Sequence, residues 1–305
     1  MRRTLKTIVA KSLLLLPWII LLGLMFDGAF RVLLKRDVIL WDSRGFGGVL
    51  RRSYHRQKSP DPPSSVPARD SAAYSWVGGD RFVPIAHALG PSLETGGNTL
   101  QTFQRGLDMG FRLFEVDISL TKDGHLICFH GDSEDQLNEM TFDQYLAQIG
   151  TARSCEFFNL VQIARSHNDL MFILDVKNRF SDVYELIRDE AKACSCGKHF
   201  IPQLYAFEQF EEIRREDLFA GEIFTSYRSA LTTQQIIDLA ARYGIKVVTL
   251  TMERWEDHVG ALPPNVAVMV HPVDDPFVAD KLRRQGVRRI YTSYLSPMTV
   301  PELFQ

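Results

Sequence analysis

The chain has 305 residues, 45% of them hydrophobic and 24% charged, which is ordinary for a globular enzyme and enough for one barrel of about 250 residues plus an appendage. The formal net charge is −2, with no basic stripe interleaved with aromatics, so nucleic acid is excluded as an expected partner.

The N-terminus departs from this ordinary picture. Arg2, Arg3, Lys6 and Lys11 precede an apolar run from Leu13 to Phe26, broken by Pro17 and Gly23. That run is short for a span of about 20 residues. Counting back through Ile8-Val9-Ala10 lengthens it, with Lys11 snorkelling toward the interface. Residues 1–27 therefore read as an uncleaved signal anchor. A cleaved signal peptide and a peripheral or buried helix are the competing readings, although Asp27-Gly28-Ala29-Phe30 is a poor cleavage site. The positive flank places the N-terminus in the cytoplasm and the body of a single-pass membrane protein on the extracytoplasmic side. Arg31, Lys35 and Arg36 make the second flank basic as well.

Residues 28–80 read as a juxtamembrane segment and linker. Arg51, Arg52, His55, Arg56 and Lys58 suit either a solvated loop or the neighbourhood of anionic headgroups. Pro60, Pro62, Pro63 and Pro67, with Ser64 and Ser65, favour an extended chain.

From residue 81 to 305, short β-like runs alternate with helical patterns. The runs are 82–87, 112–117, 170–176, 200–206, 222–225, 246–251, 267–271 and 289–292. The helical stretches include 99–109, 182–193, 232–243 and 276–285. Three of them stop at Gly110, Gly244 and Gly286, and in 182–193 the spacing of Val183, Leu186 and Ile187 marks one buried face. Eight β-then-α units predict a (β/α)8 barrel of the TIM type. An open doubly wound sheet is the rival, but no glycine-rich nucleotide loop follows any run.

The second run continues into a hairpin, Ile118 to His130, turned at Asp123-Gly124. A two-residue turn pairing Lys122 with His125 would set Asp117 opposite His130 and Glu115 opposite Asp132. In such barrels the site lies at the carboxyl ends of the strands. His87 ends the first run, Glu115 and Asp117 the second, and Asp175 and Lys177 the third, while the hairpin returns His130. Residues two apart on a strand share a face, so the Glu115–Asp117 pair points one way and so does the Asp175–Lys177 pair. Three carboxylates suit a hard divalent ion, Mg²⁺ or Ca²⁺. Two histidines can divide general-base and general-acid work, and with a lysine the set suits splitting a phosphodiester. Gln203, Tyr205, Tyr227, Trp255 and His271 end later strands and are candidates for the pocket wall.

The four cysteines allow three complete pairings. Cys128 reads as a buried strand residue. Cys194-Ser195-Cys196 beside His199 has the wrong spacing for structural zinc, and a bridge from Cys155 to Cys194 or Cys196 is the pairing considered.

These motifs resemble the glycerophosphodiester phosphodiesterase family. Its H-R-G, P-E-N-T-L, E-x-D, T-x-D-G and H-D elements correspond to His87-Ala88-Leu89, Gly96-Gly97-Asn98-Thr99-Leu100, Glu115-Val116-Asp117, Thr121-Lys122-Asp123-Gly124 and His130-Gly131-Asp132. The resemblance covers about residues 85–300. It implies a barrel in which Glu115, Asp117 and Asp175 hold the metal, His87 and His130 are the acid/base pair, and Lys177 binds the substrate phosphate. It also implies attack by water or by a substrate hydroxyl, the latter passing through a cyclic phosphate. The family's arginine is Ala88 here, its P-E is Gly96-Gly97, and its terminal T-D is Thr292-Ser293. Asp175-Val176-Lys177 replaces its usual E-x-K and is similar to the sphingomyelinase D branch of the superfamily.

The expected function is thus metal-dependent hydrolysis of glycerophosphodiesters or related lysophospholipid phosphodiesters. The substrate is a small-molecule or lipid phosphodiester, and the N-terminal segment supplies membrane contact. The alternatives are a non-catalytic, membrane-tethered barrel binding a phosphorylated lipid or glycan, and a metal-dependent sugar or amide enzyme on the same fold.

Overall fold

A computed structural model describes residues 71–77, 81–91, 96–258 and 265–305. The signal-anchor reading and the proline-serine linker fall on residues outside those described. Among the described residues no helix is long and apolar enough to cross a membrane.

The strands are β1 (Val83–Ala86), β2 (Leu113–Leu120), β3 (Leu126–Cys128), β4 (Met171–Val176), β5 (Phe200–Leu204), β6 (Ile223–Thr225), β7 (Val247–Thr251), β8 (Ala267–His271) and β9 (Arg289–Thr292). They form one sheet ordered β1-β9-β8-β7-β6-β5-β4-β2-β3, and a further β1–β2 pairing closes the ring. Every pairing is parallel except β2 with β3, which is the antiparallel hairpin. The expected eight-stranded parallel barrel is what the chain forms.

Alternation explains why each strand is buried on both faces. On β2, Phe114, Val116 and Ile118 point out into the layer beneath the helices, as do Phe172, Leu174 and Val176 on β4. The intervening Leu113 and Ile173 point inward, where they meet Ile85, Ile201, Ile223, Val247, Met269 and Tyr291. The interior is thus a packed core, with polar residues gathered only above it.

The helices are α1 (Leu100–Asp108), α2 (Glu134–Glu139), α3 (Phe142–Ile149), α4 (Phe157–Ser166), α5 (Phe180–Ala193), α6 (Phe207–Arg214), α7 (Thr233–Arg242), α8 (Met252–Glu256) and α9 (Pro276–Arg284). Thr99 caps α1 by accepting from the Thr102 amide at 3.1 Å, which fixes where the chain leaves the site loop. On α5 the buried face is Val183, Tyr184, Ile187 and Ala191. Leu186, expected on that face, is 38% exposed, because at 3.6 residues per turn it points outside the arc that those four residues define.

The amino-terminal end of the barrel is closed by residues 71–77, the tail of the segment read as linker. Tyr74 and Trp76 pack under Ile85, Ile201 and Met269. The Tyr74 hydroxyl donates to Glu222, a buried carboxylate that Arg214 also binds, at 2.6 Å from Nη2 and 2.7 Å from Nε. Trp76 Nε1 donates to the Ala220 carbonyl at 2.5 Å, and the Arg289 guanidinium donates to the Trp76 carbonyl. With that end sealed, chemistry is confined to the other.

The cysteine expectation is corrected. Cys155 pairs with Cys128, not with Cys194 or Cys196, and those two pair with each other. The reason is local: β3 runs antiparallel beside the segment entering α4, with Ile127 bridged to Glu156 and the Cys128 amide donating to the Cys155 carbonyl at 2.8 Å.

Candidate active site

Parallel register puts Asp117 beside Asp175 and Asp175 beside Gln203, all directed into the upper barrel. Glu115 lies one step below Asp117 on the same face of β2. One carboxylate oxygen from each of Glu115, Asp117 and Asp175 lies within 4.8 Å of the others, and all three residues are buried. No other such cluster of potential metal ligands occurs among the described residues.

Each acid is held by particular partners. Glu115 Oε2 accepts from the Ala88 amide at 2.8 Å and stands 3.9 Å from His87 Nε2. Asp117 Oδ2 accepts from Asn98 Nδ2 at 2.6 Å, while Asn98 Oδ1 accepts from the Asp117 amide at 3.0 Å. Asp175 Oδ2 accepts from the Tyr205 hydroxyl at 2.7 Å. Tyr205 in turn accepts from Gln203 Nε2 at 3.1 Å, and Gln203 Oε1 accepts from the Tyr291 hydroxyl at 3.1 Å. Lys177 Nζ bridges Asp117 Oδ1 and Asp175 Oδ2, each at 2.7 Å, with only 13% of its side chain exposed.

The electrostatics follow from this crowding. Burial, then the neighbouring charges of Asp117 and Asp175, push the Glu115 carboxyl well above its usual range. Burial also pushes Asp117 upward, but Lys177, His130 and His87 outweigh it and hold that carboxyl well below the usual carboxylate range. Burial alone would lower Lys177, yet the three acids keep its ammonium protonated beyond the ordinary lysine range. Burial lowers His87 despite the opposing charge of Asp117. His271 is lowered further by burial together with the charges of His87 and Lys177.

His130 reaches the site by a different register from the expected one. The turn Thr121–Gly124 closes with the Gly124 amide on the Thr121 carbonyl at 3.1 Å, and the Thr121 amide donates to the His125 carbonyl at 3.0 Å. Gly124 takes φ +92°, the left-handed conformation that a three-residue hairpin loop requires at its last position. The pairing therefore slips by one residue: Ile118 faces Cys128, and the Phe129 amide donates to the Asp117 carbonyl at 2.9 Å. Asp117 lies opposite Phe129 and not opposite His130, and the expected Glu115–Asp132 pairing is lost with it. His130 is exposed at the rim, with Nδ1 2.7 Å from the Gly131 carbonyl. A carbonyl only accepts, so Nδ1 carries the proton and Nε2 is left for other work.

Of the expected wall residues, four line the mouth. Tyr205 and Gln203 support Asp175, His271 packs edge-on against His87 with centroids 4.6 Å apart, and Tyr227 lies 5.4 Å from His271. Trp255 does not. It sits on α8 in the outer layer and donates to Gln285 Oε1 at 3.1 Å.

The loop after β1 explains Ala88 and Gly97 together. Ala88 takes φ +50°, and the Asn98 amide donates to its carbonyl at 2.7 Å. A Cβ added at Gly97 would lie 2.3 Å from Ala88 Cβ and 2.8 Å from Ala88 O. No side chain fits there while the Ala88 amide stays on Glu115. Asn98 is the residue whose role was missed. It appeared in the motif, but nothing local marks an asparagine that binds a strand residue 19 positions later.

Residues 86–223, from the end of β1 to the start of β6, match the family model described as "Glycerophosphoryl diester phosphodiesterase family". That match spans a little under half of the chain. A glycerophosphodiester phosphodiesterase from Caldanaerobacter subterraneus subsp. tengcongensis is 40% identical over 52 residues, which is 17% of this chain and 21% of that protein. The chain thus matches about a fifth of that relative's length. Among solved structures, a glycerophosphodiester phosphodiesterase from Parabacteroides distasonis superposes with a TM-score of 0.58 at 18% identity, covering 74% of this chain and 98% of that one. One from Thermotoga maritima gives 0.55 at 13% identity, covering 73% and 98%. At such identities these likenesses speak for the shared barrel.

Proposed function

We propose that this chain is a member of the glycerophosphoryl diester phosphodiesterase family and a divalent-metal-dependent phosphoric diester hydrolase acting on glycerophosphodiesters or related lysophospholipid phosphodiesters. The observation that carries the reading is the buried triad of Glu115, Asp117 and Asp175 beside His87 at the open end of the barrel. The triad fits a hard cation. Two of the three acids share the Lys177 ammonium, Glu115 has no such partner, and Asp175 Oδ1 is buried with no hydrogen-bond partner. The Glu115 carboxyl is pushed up by its like-charged neighbours, the strain a bound cation relieves. Mg²⁺ or Ca²⁺ held by these oxygens would supply Lewis-acid stabilisation of the phosphoryl charge.

The protein groups do the rest. His87, kept neutral by burial, and His130, with Nε2 unengaged by the rim, divide the proton acceptance and donation between nucleophile and leaving oxygen. Asn98 and Tyr205 keep two carboxylates in place. Lys177 balances charge between Asp117 and Asp175 and faces the substrate phosphate from there. The apolar N-terminal segment tethers the barrel to a membrane, on whose extracytoplasmic side it works.

The test is turnover of glycerophosphocholine, lysophosphatidylcholine and sphingomyelin with Mg²⁺, Ca²⁺ or chelator. Wild type should cleave at least one of them only with a divalent ion, and His87→Ala and His130→Ala should each lose about 100-fold or more. Full activity in either variant would overturn the acid/base assignment. No cleavage of any substrate under either ion would favour a binding protein instead.

A further inference from the structure

Lys177 is poorly placed to be the sole cation for a phosphodiester, because two carboxylates already engage its ammonium. A second cation stands at the same mouth. Arg228 follows β6 in the short turn Ser226–Arg228, and β6 lies four strands round the ring from β1, across the barrel from His87. Its guanidinium lies over the Tyr205 ring, with Cζ 4.5 Å from the centroid, and the Tyr205 hydroxyl is the donor to Asp175. One aromatic ring therefore joins this guanidinium to the acidic cluster.

Three further facts make Arg228 a presented group and not a loose surface charge. Its residue is exposed, yet no carboxylate among the described residues pairs with it, whereas Arg214, Arg283 and Arg284 each bind one. The loop that carries it is pinned from below: Arg254 donates to the Ser229 carbonyl at 2.6 Å and to the Leu231 carbonyl at 2.8 Å. The Ser229 amide also closes the turn on the Ser226 carbonyl at 3.0 Å. A guanidinium stacked on a ring keeps its planar edge free, and that edge donates two parallel hydrogen bonds to a phosphoryl group.

We propose that Arg228 is a phosphate-binding residue of this site, its guanidinium edge donating to the nonbridging oxygens of the substrate phosphodiester. The proposal rests on the hydrolase reading above for its substrate. The stacked ring couples the two ends of the pocket: Tyr205 orients Arg228 with its face and Asp175 with its hydroxyl. Arg228 lies beyond residue 223, where the family match ends.

The experiment measures binding of inorganic phosphate to the full chain by calorimetry, and separately KM and kcat for the best substrate of the panel. The variants are Arg228→Ala, Arg228→Lys, and Arg242→Ala as a control. Arg242 is an exposed arginine 5.6 Å from the Tyr243 ring, on an outer helix. Arg228→Ala should weaken phosphate binding and raise KM by roughly 10- to 100-fold, the loss expected for a charge-assisted hydrogen bond, with a smaller fall in kcat. Arg228→Lys should restore only part, since an ammonium keeps the charge but not the fork. Arg242→Ala should match wild type. Phosphate binding unchanged in Arg228→Ala, or undetectable in wild type at millimolar phosphate, would overturn the proposal. Arg228-dependent phosphate binding in a wild type that cleaves nothing would support Arg228 and sink the hydrolase reading instead.

Discussion

Asn98 is the residue on which the geometry of the acidic cluster depends most directly. It is buried, takes φ +60°, and makes two hydrogen bonds to one residue, Asp117. Asn98→Ala removes both. The buried Asp117 amide then loses its acceptor at a cost of about 1–3 kcal/mol, and the Asp117 carboxylate loses a donor worth about 1.5–3 kcal/mol. Alanine also tolerates the left-handed conformation less well, by about 1–2 kcal/mol. Because these effects share one site they do not simply add, and a total of about 3–5 kcal/mol is expected. For a domain of this size that is a fall of roughly 6–20 °C in Tm. Asn98→Gly keeps the backbone conformation accessible and should be milder than Asn98→Ala. Urea unfolding followed by circular dichroism reads the stability, and kcat/KM at saturating Mg²⁺ or Ca²⁺ reads the site. Activity should fall more than stability explains, since Asp117 loses its orientation. Asn98→Ala within 1 kcal/mol of wild type, with unchanged kcat/KM, would refute the claim that this loop residue holds Asp117.

Two further outcomes follow from other parts of the barrel. Glu222→Gln removes the carboxylate partner of the buried Arg214 guanidinium and should cost about 3–5 kcal/mol in urea unfolding; since the pair sits at the closed end, kcat/KM per folded molecule should stay at the wild-type value. His271, lowered by burial and then by the charges of His87 and Lys177, binds fewer protons folded than unfolded once pH drops below its ordinary value of 6.5. It therefore contributes a loss of stability as pH falls from 7.5 toward 5.5. Glu115, raised well above 4.5, contributes in the opposite sense, so the comparison must be made against His271→Gln. In metal-free buffer the variant's Tm should fall less over that range, and parallel Tm profiles would refute the assignment.

Much of this protein was legible before any coordinates, because the relevant signals are local. Strand alternation put Glu115 with Asp117, and Asp175 with Lys177, on common faces, since side-chain direction along a strand repeats every two residues. Glycines after helices marked three helix ends, and the barrel followed from counting units. What the sequence did not determine depends on contacts between distant segments or on a single residue of register. The hairpin turn was correctly located at Asp123-Gly124, but a three-residue loop in place of two moved every cross-strand partner by one, so Asp117 faces Phe129. Trp255 ends a strand in sequence, yet the first turn of α8 carries it to the outer layer. The partner of Cys155 was decided by β3 lying beside the entrance to α4. Asn98 on Asp117, Tyr205 on Asp175 and Arg228 over Tyr205 bring together residues from different strand ends, which only closure of the ring makes neighbours. Residue types and their local spacing thus named the chemistry of the site. Tertiary structure alone decided which groups support it, because those supports span separations along the chain that no periodicity records.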